Sequence, residues 1–455
     1  MPITAIFVSA LVGIVVIYFV RAIMYYSTAP QQDADDEKSE KRSCCCCCLK
    51  VFCSALAWLL VTIVFACLLA ACFVYVIIVT PSPDHVYPYV VDKAADYKGV
   101  MAENDILAMN GQRILAGRAV APESLALHNG SIYTGLADGR LVKITNDEIV
   151  EEWRYVTPAE GTNCGVPWPQ RYETEPKCGR PLGVRVRDGW IYVCDTYVGL
   201  YRMQIHTGTK ELLIPVGTVV DGRPLTFFND LEFLDEQTIL FSDSSSEWTR
   251  RDFCMAVLTA APDSRVLRHN MATGETTVIA DGLRFANGIV LSPDKQSLLV
   301  AECTMARIVR VSLETGDTQV FADNLPGYPD NIRPTQDGRH VWVPMAAGRH
   351  PSESSVFQFL GERPWLREIL LKFLDKKTLC TRVMNVLSWS SLSNNARSIV
   401  AKLDRNTGAM VRSYQDTNGD VVIHGSHVLE LGEHIYIGSY AAPFLVKVKM
   451  PTDEL

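Results

Sequence analysis

Five oxygen-bearing side chains recur at similar places along the chain: Glu123 in Ala121-Pro122-Glu123-Ser124, Asn229 in Phe227-Phe228-Asn229-Asp230, Asn287 in Phe285-Ala286-Asn287-Gly288, and Asp330 with Asn331 in Tyr328-Pro329-Asp330-Asn331. Each motif stands where a loop enters an apolar, β-prone stretch. Carboxylate and amide oxygens without thiolate or imidazole suit a hard cation, and Ca²⁺ tolerates so mixed a shell better than Mg²⁺ does. Asn and Asp are also ordinary turn formers. Their recurrence at corresponding positions is what predicts a shared cation site or polar pocket. A Ca²⁺ held there would polarise an ester or lactone carbonyl and stabilise the developing oxyanion. For catalytic partners the chain offers His424 and Ser426, which alternate onto one face of an expected strand. A neutral imidazole at His424 could deliver water, although a lone histidine is more often a surface or strand-end residue.

The elements that must position these residues are short. Runs such as Trp190-Ile191-Tyr192-Val193, Thr238-Ile239-Leu240-Phe241, Ser297-Leu298-Leu299-Val300 and His434-Ile435-Tyr436-Ile437 alternate with Gly, Asp and Asn turns, the pattern of β-strands. Their spacing matches blades of four strands that recur roughly every 40 to 50 residues. The predicted fold is therefore all-β, a six-bladed β-propeller, with blades near 118–158, 180–217, 226–280, 282–322, 325–415 and 420–450. A segment after Ala102 would close the last blade and cover its edge. The inner strands of a propeller line its channel, which is where the oxygen donors would converge. The fifth unit is too long. Its excess, Glu362 to Ser388, places Leu366, Ile369, Leu370, Phe373 and Leu374 on one helical face, and Pro364 fits a helix start. This predicts a short helical insertion packed on the propeller, the alternatives being a lid over the pocket or a surface touching a bilayer.

The N-terminal region differs in kind. Residues 1–26 hold one apolar run and residues 51–79 a second, each long enough to cross a hydrocarbon core, which takes roughly 20 residues as a helix. The second reads as a transmembrane helix. The first reads as a span, with a re-entrant or interfacial segment as the alternative. Between them, residues 27–50 carry Lys38, Lys41, Arg42 and Lys50, so this loop is expected in the cytoplasm and everything after Val79 on the lumenal or extracellular side. Cys44, Cys45, Cys46, Cys47 and Cys48 then face the cytoplasm beside a span, which suggests S-palmitoylation; a reduced, solvated thiol cluster is the plainer alternative. Residues 80–97, opening Thr80-Pro81-Ser82-Pro83, read as a stalk, and 98–455 as the propeller.

Six cysteines follow the apolar runs. Cys164 and Cys178 are the expected disulfide, worth about 3 kcal/mol on the chain-entropy estimate; Cys194, Cys254, Cys303 and Cys380 could be buried free thiols. Asn129-Gly130-Ser131 is a glycosylation acceptor and agrees with a lumenal domain. A net charge of −8 with no basic stripe argues against nucleic acid. The expected partners are the lipid bilayer and a small ester or lactone, in the endoplasmic reticulum or at the plasma membrane.

Longer motifs carry a resemblance. Phe227-Phe228-Asn229-Asp230-Leu231, Asp243-Ser244-Ser245-Ser246-Glu247-Trp248, Leu283-Arg284-Phe285-Ala286-Asn287-Gly288, Ala301-Glu302-Cys303-Thr304 and Pro329-Asp330-Asn331-Ile332-Arg333-Pro334 resemble animal, membrane-associated members of the strictosidine synthase-like family, from about Glu123 to the C-terminus. The resemblance implies a six-bladed propeller and an arylesterase-like activity. Related calcium propellers, the paraoxonases and gluconolactonases, hold their metal at places matching Glu123, Asn229, Asn287 and Asp330, with Asn331 beside it. Two departures limit what is carried over. Ser426 stands where the plant synthase has its glutamate, and Leu182 where paraoxonases have a histidine, so neither mechanism transfers intact. Two functions stay open: a membrane-anchored calcium-dependent hydrolase, and a non-catalytic tethered propeller acting in adhesion or scaffolding.

Overall fold

The computed structural model describes residues 57–72, 74–75, 85–352, 356–383 and 397–450. The first apolar run and Cys44 to Cys48 lie outside the described residues. Residues 57–72 are helical. Among the described residues no helix is long and apolar enough to cross a membrane.

From residue 85 onward the described chain is a six-bladed propeller: six antiparallel blade sheets, five of four strands and one of five, with a small two-stranded hairpin at Val219–Val220 and Arg223–Pro224 besides. Blade two shows how the sequence dictates a blade. Trp190–Asp195, rich in β-branched and aromatic residues, and Gly199–Gln204 are its largely buried middle strands, whereas Lys210–Pro215, at the outer edge, is largely exposed. Apolar side chains on facing blades then interlock, as Leu240, Val266, Ile289, Val300 and Val309 do between blades three and four. Closure falls where expected. Gly111–Ile114 pairs antiparallel with Leu445–Lys449, so the last blade takes its outer strand from the start of the domain and leaves no open seam.

The inner strands depart from regular pairing at the same level in successive blades. Register shifts leave out Leu182-Gly183, Asn229-Asp230, Asn287-Gly288 and Ser426 in blades two, three, four and six. In blade five, Asp330, Asn331 and Ile332 fall between the paired segments Gly327–Pro329 and Arg333–Pro334. Such bulges re-aim side chains, and here they turn a strand's residues toward the channel. The glycines follow from crowding: a Cβ on Gly183 would sit 2.6 Å from the Asn229 carbonyl oxygen of the next blade.

Three elements cap one end of the channel. Residues 85–97, read above as a stalk, run extended against the propeller with Val86, Tyr89, Val91 and Ala94 buried. The helix Phe253–Thr259 rises from blade three. The blade-five insertion supplies Val356–Gly361 and Pro364–Phe373. Leu366, Leu370, Leu371 and Leu374 pack with Val86, Met255 and Leu258, so the insertion lies on the propeller domain as its spacing suggested. Cys164 and Cys178 form the expected disulfide. A second one corrects the reading of the other thiols: Cys254 pairs with Cys380, tying the blade-three helix to the insertion. Its partners are 126 residues apart, and no local spacing could reveal them before the insertion folds back. Cys194 and Cys303 are free.

Candidate functional site

Beneath the cap lies a cavity of about 100 Å³ that Glu123, Asn229, Asn287 and Asp330 all line. Its walls are apolar, with Leu182, Phe227, Phe285 and Tyr328 from the blades, Phe253 and Val257 from the blade-three helix, and Tyr89 from the extended N-terminal segment. Phe227 and Phe285 meet edge to face at 5.5 Å.

The four polar side chains are almost fully buried. The Asn229 amide nitrogen donates to Ser244 Oγ at 2.8 Å, which fixes the amide and leaves its Oδ1 without a partner. Asn287 donates to the Asp330 carboxylate, and its own Oδ1 is likewise without a partner. Asp330 Oδ1 is the third such atom. Orphaned buried acceptors are rare, because each costs the desolvation of a polar group with no bond in return. Burial, and then the nearby Glu123 charge, push the Asp330 carboxyl well above the ordinary range. Burial also pushes Glu123 up, against the pull of Arg180 and Arg250. Three of these oxygens, Asn229 Oδ1, Asn287 Oδ1 and Asp330 Oδ1, lack donors, and together with the Glu123 carboxylate that mixture of carboxyl and amide oxygens fits Ca²⁺. Among the described residues no three His, Cys, Asp or Glu side chains cluster as a metal site; the set here is half amide.

Asn331 is buried beside Asp330 with its Oδ1 also unpartnered, but it does not line the cavity. Its N–H donates to the Ser426 carbonyl at 2.9 Å. Ser426 does not face the cavity either. Its hydroxyl donates to the Glu123 carbonyl at 2.7 Å and stitches blade six to blade one. His424 precedes the strand Gly425–Leu431 in a left-handed conformation, φ 55°, so the two do not alternate on one strand face as expected. It still reaches the site, for its Nδ1 lies 3.2 Å from the hydroxyl of Tyr440, which lines the cavity. Burial holds the His424 imidazole down to about 4, neutral at physiological pH. Ala121, Phe285 and His424 all have positive φ, each two residues ahead of Glu123, Asn287 or Ser426. Non-glycine residues hold that conformation at some cost, and here it sets the approach of three inner strands.

Sequence reasoning missed the basic side of the site. Arg180, fully buried, donates to Glu123 Oε2 at 2.7 Å and to the Ala121 carbonyl at 3.0 Å. Arg250, on the cavity wall, contacts Glu175 at 3.3 Å and the Tyr440 carbonyl at 3.4 Å. Burial alone would raise Glu175, but Arg250, Arg171 and Arg180 pull it below the ordinary value. Arginines buried singly leave no periodic trace in a sequence; only the Arg250-Arg251-Asp252 cluster hinted at them. Deeper in the channel Arg333 donates both terminal nitrogens to Asp230, at 2.7 and 2.9 Å, and Arg185 lies 3.2 Å away. The residue after Asn229 therefore faces a different layer from Asn229 itself.

Two sequence families match the chain: one described as strictosidine synthase-like, N-terminal, over residues 99–144, and one described as strictosidine synthase, over residues 229–316. Curated relatives match over more of its length. The adipocyte plasma membrane-associated protein of Salmo salar is 38% identical over 74% of this chain and 78% of its own. The human protein of that name is 35% identical over 77% of this chain and 80% of its own. Among solved structures, a gluconolactonase from Xanthomonas campestris superposes with a TM-score of 0.47 at 16% identity, covering 82% of this chain and 99% of that one. A likeness at that level carries no argument about chemistry here.

Proposed function

The chain belongs to the adipocyte plasma membrane-associated protein family, and on that premise we propose that it is a membrane-anchored, calcium-dependent hydrolase of small esters or lactones. The observation that carries the reading is the convergence of three partnerless buried oxygens, from Asn229, Asn287 and Asp330, with Glu123 on one apolar cavity. Glu123, Asn229, Asn287 and Asp330 would hold Ca²⁺, with Asn331 buttressing Asp330 from behind. When bound, the ion would supply Lewis-acid polarisation of an acyl oxygen. The chain's own residues do the rest. Phe227, Phe285 and Leu182 receive the apolar part of the substrate. Arg180 and Arg250 draw Glu123 toward its charged form, against the larger effect of its burial. Neutral His424, in contact with the Tyr440 hydroxyl, could accept through it a proton from an attacking water. With Ser426 tied to the Glu123 carbonyl, synthase-type carbon bond formation is not proposed.

The anchor in this reading is the apolar run 51–79, of which residues 57–72 are helical. Two disulfides in the propeller suit an oxidising lumenal or extracellular side, and the relatives are named for plasma membrane association. The full chain, purified in detergent, should hydrolyse phenyl acetate, lose that rate in chelator and regain it with Ca²⁺. Equal rates in both would remove the calcium role. The second reading, a non-catalytic tethered module, is favoured by one feature: Arg180 already neutralises half of the carboxylate pair. Calcium-dependent melting with no hydrolysis of any ester tried would bring it forward.

A further inference from the structure

The insertion helix Pro364–Phe373 carries two apolar stripes. The inner one, Leu366, Leu370 and Leu374, packs into the cap together with Leu371. The outer one runs through Trp365, Ile369 and Phe373, four residues apart and so nearly in line on a helix. Trp365 is 59% exposed and Phe373 47%, and Phe359 from the preceding helix is exposed by 47% as well. Sequence periodicity had merged Ile369 and Phe373 with the packed face; the structure separates them. Large aromatics gathered on a surface mark a contact rather than a solvated face.

We propose that this outer face rests on a lipid bilayer, with Trp365, Phe373 and Phe359 in the interfacial layer; the inference rests on the reading of residues 51–79 as a membrane anchor. The tether argues for a bilayer over other occupants. The first described residues of the domain dock on the same cap: the Tyr87 N–H donates to the Thr259 carbonyl of the blade-three helix at 2.8 Å, and Arg367 Nη2 of the insertion donates to the Tyr87 carbonyl at 2.8 Å. The apolar run ends at Val79, with only residues 80–84 between it and the first described residue of the domain. Composition agrees. Residues 356–383 carry six basic and three acidic side chains, Arg367 alone of the six being fully buried, and an amphipathic segment with an excess of basic residues and with Trp and Phe on an exposed apolar stripe suits the plane of an interface. The Cys254–Cys380 disulfide joins this insertion to the helix that supplies Phe253 and Val257 to the cavity. An ester dissolved in the membrane would thus meet the cavity's roof directly.

Full-length chain would be reconstituted into phosphatidylcholine–phosphatidylserine vesicles with a photoreactive phenylalanine at Trp365, at Phe373 or, as a control, at Val320, which is exposed on an outer strand of blade four. Illumination should give lipid adducts at 365 and 373 severalfold above those at 320. Equal or absent lipid adducts in a chain that resists alkaline carbonate extraction overturn the proposal and leave the anchor standing. Adducts with a second copy or another protein in place of lipid overturn it too. A chain that carbonate releases overturns the anchor, and the proposal with it.

Discussion

Asp330 is where a cation site and a plain polar plug make opposite demands. With no cation, Asp330 and Glu123 both sit above the ordinary carboxylate range, Asp330 the further. At these two groups the calcium-free folded chain then holds more protons than the unfolded one from about pH 4 upward, so their contribution to stability falls as pH rises through that window. Calcium reverses the sign, because it draws both carboxyls to their charged forms. The gain in melting temperature with calcium should grow as pH rises above the ordinary carboxylate range. Asp330→Asn should raise the calcium-free melting temperature, by relieving a buried carboxyl, and abolish the calcium gain. Glu123→Gln should lower the calcium-free value, since it strands buried Arg180, a loss on the order of 3 to 5 kcal/mol. Ser426→Ala should cost about 1 kcal/mol and leave the calcium gain intact, its hydroxyl being bonded to the Glu123 backbone. Thermal scans in calcium and in chelator decide; identical melting of the unmutated chain in both would remove the cation. The oxygen donors were legible because they recur at one level of a repeating fold. Arg180 and Tyr440 were not, since a counterion just before one strand and a wall residue just after another have no repeat to expose them.

At the scale of elements, blade order and the fifth-blade helix could be read from alternation and from a three-and-four spacing, while the cap could not. It is assembled from the extended segment 85–97, one helix of blade three and the insertion, pieces far apart in sequence. Proline pairs near residue 81 mark stiffness, not the burial of Val86 and Tyr89 five to eight residues later. The Cys254–Cys380 bridge closes a loop for which chain entropy gives about 5 kcal/mol. Its effect should be local. Cys254→Ser with Cys380→Ser should lower the melting temperature and open residues 356–383 to limited proteolysis, while blade strands such as Ser297–Glu302 keep their amide protection. Hydrogen exchange read by mass spectrometry measures both; loss of protection spread evenly over all blades would mean that the bridge holds the propeller itself.

The whole molecule poses a question of sides, and Asn129 can answer it. Asn129 and Gly130, both with positive φ, form the two-residue turn between Leu125–His128 and Ser131–Gly135, and Asn129 is exposed there. Asn-Gly is the preferred pair for such a hairpin, so the acceptor sequence has a structural reason to exist whether or not a glycan is attached. That makes the chemical test worth more than the motif. If the basic loop 27–50 stays in the cytoplasm and one span follows it, the propeller meets the glycosylation machinery. The chain made in animal cells should then lose one glycan's worth of mass on glycosidase treatment, and Asn129→Gln should run at the treated position from the start. Equal mobility of both proteins, untouched by glycosidase, would place the propeller on the other side or leave the acceptor unused. The state of the disulfides separates these cases. Alkylating thiols in denaturant without reductant should leave Cys164, Cys178, Cys254 and Cys380 unlabelled in a lumenal domain, whereas a cytosolic one would carry label at all four, because cytosolic reductants keep such pairs open.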